Sequence, residues 1–214
     1  MTTTLFRAAL AAIGLASAGC ATVYYDTMER MGFEKRDILV DRVKDARAEQ
    51  AEAQETFASA LDEFRALIGN DGGDLERQYD KLNASYERSK RQAADVRKRI
   101  KDVDDVSTRL FKEWEGELAL FESADLRRRS SQQLSATRRD YDALHAAMTR
   151  AADKMDPVLE LYQDQVLFLK HNLNARAISS LEIERTRIEE QVAALLEEMN
   201  AAIAEADAFI ASMS

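Results

Sequence analysis

Glycine and proline are scarce in this sequence. Only seven glycines and one proline occur in 214 residues, far below ordinary usage. Tight turns depend on both residue types, because glycine reaches positive φ at low cost and proline interrupts helices. A chain with few turns must consist of few, long elements, and good helix formers are abundant. We therefore predict an all-α protein of long antiparallel helical hairpins with heptad packing and three to four long helices.

Histidine and cysteine are also rare, with two histidines and one cysteine in the chain. Neither His145 nor His171 has a second histidine or cysteine at metal-binding helical spacing, and H-E-x-x-H, C-x-x-C and glycine-rich phosphate loops are all missing. In a chain with 39 acids, the acidic runs at 102–105 and 113–117 are typical of solvated helix faces. We therefore identify no catalytic, cofactor-binding or metal-ligating residue, and we expect neither an enzyme nor a bound cofactor.

The chain has no excess of positive charge, since its formal net charge is −9. It therefore lacks the basic surface with which proteins bind the phosphate backbone of nucleic acids. We expect no nucleic-acid partner.

The apolar run Ala8 to Ala16 is too short to cross a bilayer, which takes about 20 residues. A positive charge at Arg7 precedes it and small residues follow, which is typical of a secretory signal peptide. We predict a signal peptide over residues 1–19, and hence an exported protein.

Cys20, the single cysteine, follows Ala18 and Gly19 directly. The segment resembles bacterial lipoprotein precursors, in which such a cysteine is lipidated and becomes the mature N-terminus. Ser17 departs from that pattern, where a bulky aliphatic residue is usual. In such lipoproteins an aspartate directly after the cysteine is associated with retention in the inner membrane, and this chain has Ala21 at that position. The resemblance therefore implies the periplasmic face of the outer membrane. Ordinary cleavage after Ala16-Ser17-Ala18 and an unmodified thiol are the alternatives.

We divide the remaining chain into a lipidated tether over 20–25 and a helical bundle domain over 26–214. Apolar residues recur every three or four positions from Asp26 to Ile68, where a turn at 69–74 begins, with Asp74 as a candidate N-cap. From Leu75 to Phe121 the repeat is close to 3.5 residues, as packed helices in a left-handed supercoil require. The first two helices should form an antiparallel hairpin.

Three later positions are candidate interruptions. We predict a break near 122–131, where the basic run 127–129 would lie in a turn. Pro157 either kinks a continuous helix or begins a new one, and we favour the kink. A change in the phase of the repeat at 171–174 indicates a turn or, alternatively, a stutter within one helix; we favour the turn.

The segment 165–176 departs most clearly from an amphipathic pattern, because four apolar residues follow one another at 166–169. Such a run is typical of a buried end of a bundle or of a surface that binds a partner. The candidate interaction surface comprises Val166, Leu167, Phe168, Leu169, Lys170, His171, Asn172, Asn174 and Arg176.

Three stretches, at 35–43 (KRDILVDRV), 110–118 (LFKEWEGEL) and 164–178 (DQVLFLKHNLNARAI), resemble those of an uncharacterised family of exported proteobacterial helical proteins, a domain-of-unknown-function family. The resemblance covers almost the whole chain after the signal peptide. It implies a lipoprotein with long helices and no particular activity.

These observations favour a lipid-anchored protein of the cell envelope with a structural or adaptor role, acting through helix-mediated interactions. Its expected partners are the membrane, through the N-terminal lipid, and an envelope protein or a second copy of the chain. The alternative is a periplasmic binding module for a small ligand or metal within the bundle.

Overall fold

The computed structural model describes residues 35–69, 75–172 and 175–213, and for residues 175–177 it describes the backbone alone. The predicted signal peptide, the tether, the start of the first helix and the Asp74 cap lie outside these residues. Within them the chain is helical, as predicted, with four long α-helices and one short 3-10 helix. Their bounds are α1 Lys35–Ile68, α2 Leu75–Glu117, the 3-10 helix Leu118–Leu120, α3 Ala124–His171 and α4 Ala175–Met213.

The four helices form a ring in which each packs against two others. α1 and α3 each lie between α2 and α4. Residue numbers rise along α1 while they fall along α4, because Arg47 pairs with Asp207 at 2.8 Å and Arg65 pairs with Glu189 at 2.8 Å. The same relation joins α1 to α2, so the predicted antiparallel hairpin is confirmed. The fold is an antiparallel four-helix bundle.

The heptad positions of α2 form its buried face. Most are buried, while Leu75, Tyr79, Ile100 and Trp114 are half-buried and Glu117 is exposed. The last position of the repeat, Phe121, lies beyond the end of α2 and is half-buried. Val106 and Phe111 lie outside the heptad and are buried as well. The apolar face is wider than a two-helix seam because α2 contacts both α1 and α3.

The two ends of the bundle differ, and we call them the base and the tip. At the base, α1 begins, α4 ends and the α2–α3 connection at 118–123 turns the chain around; Lys35 Nζ lies 2.9 Å from a Glu113 carboxylate oxygen, and Arg36 donates to the Met213 carbonyl. At the tip, α1 ends at Ile68 and the chain passes from α3 to α4.

The predicted break at 122–131 is wrong in its position. The connection occupies 118–123, and the basic run lies inside the first turns of α3. Ser123 Oγ caps α3 by accepting a hydrogen bond from Leu126 N at 3.3 Å. Asp125 lies 3.0 Å from Arg129 and also pairs with Arg128. This carboxylate offsets the unfavourable interaction of the arginines with the positive end of the helix dipole.

At the other two positions the structure shows whether the helix continues. Pro157 lies inside the continuous helix α3, so the chain does not reverse there. α3 ends at His171 and α4 begins at Ala175, which confirms a turn rather than a stutter. Asn172 closes α3, because its backbone N–H donates to Leu169 O at 3.1 Å and its side chain donates to Phe168 O at 2.9 Å.

Candidate interaction surface at the tip

The apolar run near the end of α3 is divided between two faces of the helix. Val166 and Leu169 are buried in the core, whereas Leu167 is 47 % and Phe168 is 38 % exposed. A helix of 3.6 residues per turn cannot direct four consecutive side chains to one face. The interpretation as a buried end of the bundle therefore holds for Val166 and Leu169, while the partner surface stays a prediction for Leu167 and Phe168.

A groove runs between α3 and α4 beside this segment. Its volume is about 450 Å³, within the usual range of ligand pockets. Phe168 and Leu181 supply apolar walls, while Asp164, Glu184 and Arg187 supply charge. The groove is lined by Leu161, Asp164, Gln165, Phe168, Ser180, Leu181, Glu184 and Arg187.

The charges of the groove are mixed. Arg187 Nη1 lies 3.6 Å from Glu184 Oε2, one turn away on α4, which leaves Asp164 as a second carboxylate on the opposite wall. Three of the eight lining residues are apolar and five are polar or charged, so the groove is more polar than most ligand pockets.

The remaining residues of the candidate surface lie around this groove or outside the described part. Lys170 and His171 are exposed at the end of α3, and Asn172 acts as its C-cap. Asn174 lies outside the described residues, as does the side chain of Arg176. The structure therefore places Phe168 in the groove wall, Leu167 on the exposed surface next to it, and Val166 and Leu169 in the core.

Sequence reasoning missed the contribution of α4. Ile183 is 79 % exposed, on the same turn as the groove residues Ser180 and Glu184. A signal was present, because Ile183 stands between two glutamates and out of phase with the buried Leu181 and Ile188. An isoleucine on the polar face of an amphipathic helix marks a surface position worth testing.

The acidic runs of α2 hold the bundle together rather than converging on one point. Asp104 accepts a hydrogen bond from the Tyr141 hydroxyl at 2.9 Å, and Glu115 accepts one from Arg138 at 2.7 Å. Burial raises the pKa of Tyr141 above its ordinary value, and the Asp104 carboxylate raises it further. His145 lies against the Tyr141 ring, with centroids 5.8 Å apart. In the described part of the chain, no group of three or more metal-ligating side chains occurs.

Two of the buried polar side chains in the described part of the chain, both away from the groove, have polar atoms without a hydrogen-bond partner. The Gln50 amide nitrogen and oxygen have no hydrogen-bond partner among the described residues, and the Ser89 hydroxyl has none either. Both residues are almost completely buried. Buried polar groups without partners cost stability. Gln50 in α1 and Ser89 in α2 lie between the base and the tip.

Among the residues that the structure describes, no helix has both the length and the apolar character needed to cross a membrane.

Comparison with known proteins places the chain in a family but assigns it no activity. A search of curated proteins finds no match, and a search of solved structures finds none either. A family model matches residues 24–213, almost the whole chain after the predicted signal peptide and tether. The chain therefore belongs to the family described as protein of unknown function DUF2959.

Proposed function

We propose that the protein is a non-catalytic adaptor of the cell envelope, anchored by a lipid on Cys20 and binding a helix of another envelope protein at the tip of its bundle. The expected location is the periplasmic face of the outer membrane. The resemblance of residues 1–21 to lipoprotein precursors supports the anchor. The apolar surface at the tip supports the adaptor role.

The observation that carries the adaptor role is the exposure of Leu167, Phe168 and Ile183 beside the α3–α4 groove. Exposed apolar side chains that cluster next to a groove are typical of a surface that binds a partner. Charged groups at the rim and apolar groups in the wall match the apolar and polar faces of an amphipathic helix.

The dimensions of the bundle suit this role. α1 has 34 residues, and at 1.5 Å per residue it is about 50 Å long. Cys20 is separated by 14 residues from the start of α1 at the base, so an anchor there is closer along the chain to the base than to the tip. An adaptor of this shape would present its binding surface at a distance from the membrane that holds it.

The anchor is tested by intact mass spectrometry of protein purified from membranes of the native host. A mature chain that begins at Cys20 and carries a diacylglyceryl group with a further acyl chain is the expected result. A Cys20→Ser variant is the control and should lose the added mass. An unmodified chain that begins at Gly19 in the wild type would overturn the anchor.

The docking surface is tested with a photo-crosslinking amino acid at position 167, introduced into the protein in its native host. One discrete crosslinked partner is expected, and Ile183→Ser should abolish it. The matched control is Leu120→Ser, because Leu120 is as exposed as Ile183 but lies at the base. A crosslinker at the exposed position 52 of α1 should give no such product. Equal crosslinking from positions 52 and 167 would exclude a specific tip surface.

The groove also favours a second candidate function, the binding of a small amphipathic ligand. Its volume of about 450 Å³ and its charged side chains are the observations that support this candidate. A ligand that raises the unfolding temperature of the wild type but not of an Arg187→Gln variant would favour it over the adaptor role. Absence of both a ligand and a crosslinked partner would exclude both candidates.

A further inference from the structure

We propose that the α2–α3 connection at the base lies on an anionic lipid surface, with Leu120 and Leu126 in the interfacial region and Arg128 and Arg129 against the phosphates of the headgroups. The inference rests on the proposed function in one respect, which is that a lipid anchor brings a membrane to this end. The consequence would be a fixed orientation of the bundle, with the tip directed away from the membrane.

The exposed apolar residues of the bundle lie near its ends. Leu120 is 78 % and Leu126 is 53 % exposed, and both flank the base connection at 118–123. The other large exposed hydrophobic residues of the described part, Leu167, Phe168 and Ile183, lie near the tip. Single exposed leucines are common on proteins. Here Leu120 lies in the connection and Leu126 lies just after it, with the half-buried Phe121 between them in sequence. Together they form a small exposed apolar surface, which we call the apex.

The arginines that follow this apex suit a phosphate-bearing surface. Residues 118–130 contain three arginines and two acids. In the acidic run 113–117 on the other side of the connection, Glu113 is paired with Lys35 and Glu115 with Arg138. Arg127 is engaged by the fold, since its guanidinium donates to Phe121 O at 2.6 Å. Arg128 and Arg129 share the Asp125 carboxylate and remain largely exposed. Their guanidinium groups are therefore available to phosphates while keeping one local counter-charge.

The position of the base relative to Cys20 supports the same occupant. Lys35 begins α1 and pairs with Glu113 in the last turns of α2, so the first described residue and the connection share one end of the bundle. Fourteen residues separate Cys20 from Lys35, and a chain of that length reaches at most about 50 Å. A lipid on Cys20 therefore keeps the base within about 50 Å of the bilayer, so a membrane is within reach of this end.

The small number of exposed apolar residues at the apex is enough for a bilayer surface. Interfacial binding needs only a few inserted apolar side chains together with basic residues at the headgroups. The observations therefore favour a lipid surface.

The experiment uses the mature chain from residue 20 with Cys20→Ser, so that no lipid anchor contributes. Flotation is measured with vesicles of phosphatidylcholine alone and of phosphatidylcholine mixed with phosphatidylglycerol. We expect binding to the anionic vesicles. Leu120→Ser with Leu126→Ser should lower the partition coefficient about tenfold. Arg128→Gln with Arg129→Gln should lower it about fivefold per arginine, and should remove the preference for the anionic lipid.

Ile183→Ser is the matched control, because its side chain is as exposed as that of Leu120 but lies near the tip; it should leave the partition coefficient unchanged. The altered side chains are exposed, so circular dichroism should show the same unfolding temperature for every variant. The inference would be overturned by absence of binding to anionic vesicles, or by binding that neither the leucine nor the arginine pair affects. These outcomes are independent of the mass measurement at Cys20, so the anchor and the lipid contact can fail separately.

Discussion

The base and the tip of the bundle are built from the same amphipathic repeat and differ in how they are filled. At the base, the Phe111, Tyr141 and Phe209 rings pack edge to face, with centroid separations of 5.5 and 6.5 Å. At the tip, α3 and α4 leave a groove of about 450 Å³ between them. The difference shows that a repeat of apolar residues determines which face of a helix is buried, whereas side-chain size and shape determine whether the space behind it is filled.

The polar contacts follow the same division. Trp114 Nε1 donates to Ser130 Oγ at 2.8 Å, which joins the last turns of α2 to the first turns of α3 at the base. The Tyr141–Asp104 hydrogen bond joins the same two helices. In the groove at the tip, the nearest ion pair, Arg187–Glu184, lies within α4 alone. These two contacts join helices at the base, whereas the ion pair described at the groove wall lies within one helix. On another side of the tip, Arg65 joins α1 to α4 through Glu189.

The largest expected effect is that of Phe209→Ala in the closed base. Phe209 is buried, so truncation leaves a cavity and should lower the free energy of unfolding by about 3–5 kcal/mol. Leu181→Ala at the groove wall should cost less, about 2 kcal/mol, because solvent can enter the space that it leaves. Urea denaturation measures both values. If the two variants lost the same free energy of unfolding per unit of side-chain volume removed, the result would contradict an open groove at Leu181.

Between the two ends, Gln50→Met should stabilise the bundle. The Gln50 amide is buried without a partner among the described residues, and methionine has a similar length without the amide. We expect the free energy of unfolding to rise by about 1–3 kcal/mol. Gln132→Met on the exposed face of α3 is the control and should change it by less than about 0.5 kcal/mol. A loss of stability in Gln50→Met would show that the amide has a partner, such as a buried water.

Tyr141 on the base side and Tyr162 on the tip side should make the bundle sensitive to alkali. Burial raises the pKa of each hydroxyl above the ordinary value of 10.0. The folded state therefore holds these protons more tightly. The stabilisation is complete below about pH 10, the unfolded-state pKa, and is lost progressively as the pH rises from there through the raised pKa of the folded state. Denaturation measured against pH should show this decline.

Tyrosine-to-phenylalanine variants separate the two contributions. Tyr162→Phe should reduce the alkaline decline and cost less than about 1 kcal/mol at neutral pH, since its hydroxyl lies 3.5 Å from the Phe57 carbonyl oxygen. Tyr141→Phe should cost about 1 kcal/mol, because it loses the bond to Asp104. An alkaline decline unchanged in both variants would assign it to other groups.

The smallest effects are expected at the exposed residues of the two ends. Ile183→Ser and Leu120→Ser remove side chains that are mostly in water, so each should change the free energy of unfolding by less than about 0.5 kcal/mol. Thermal denaturation of the two variants beside the wild type is the measurement. A larger loss in Ile183→Ser would mean that this side chain stabilises the fold, and would weaken the case for a binding surface at the tip.

Much of the fold could be predicted from particular residues. The glycines after Ile68 and the asparagines at 172 and 174 predicted the ends of helices, because these residue types are poor in helix interiors. The position of the α2–α3 break could not be predicted in the same way. Its shift to 118–123 depends on the Ser123 cap and on the pairing of Asp125 with the arginines, and these contacts decide among several plausible helix starts.

The candidate site could be predicted only in part. The apolar run on α3 identified Phe168, but not which side chains of the run are buried, because that depends on the rotation of α3 in the bundle. Ile183 stands out of phase with the buried stripe of α4, but no local pattern shows that it and Arg187 lie on the groove side of the bundle. The lipid on Cys20, the envelope location and the partner remain predictions.

By itself, the sequence determined that the chain forms a few long helices, where most of them end, and which stripe of each is apolar, because turn formers, helix propensity and periodicity are local properties. Only the tertiary structure decided that α3 and α4 form a groove at the tip and that the aromatic rings close the base. Both features depend on the register between helices, which contacts such as Arg150–Glu198 and Arg138–Glu115 reflect. Register depends on how side chains distant in sequence fit together, and no local pattern specifies that fit.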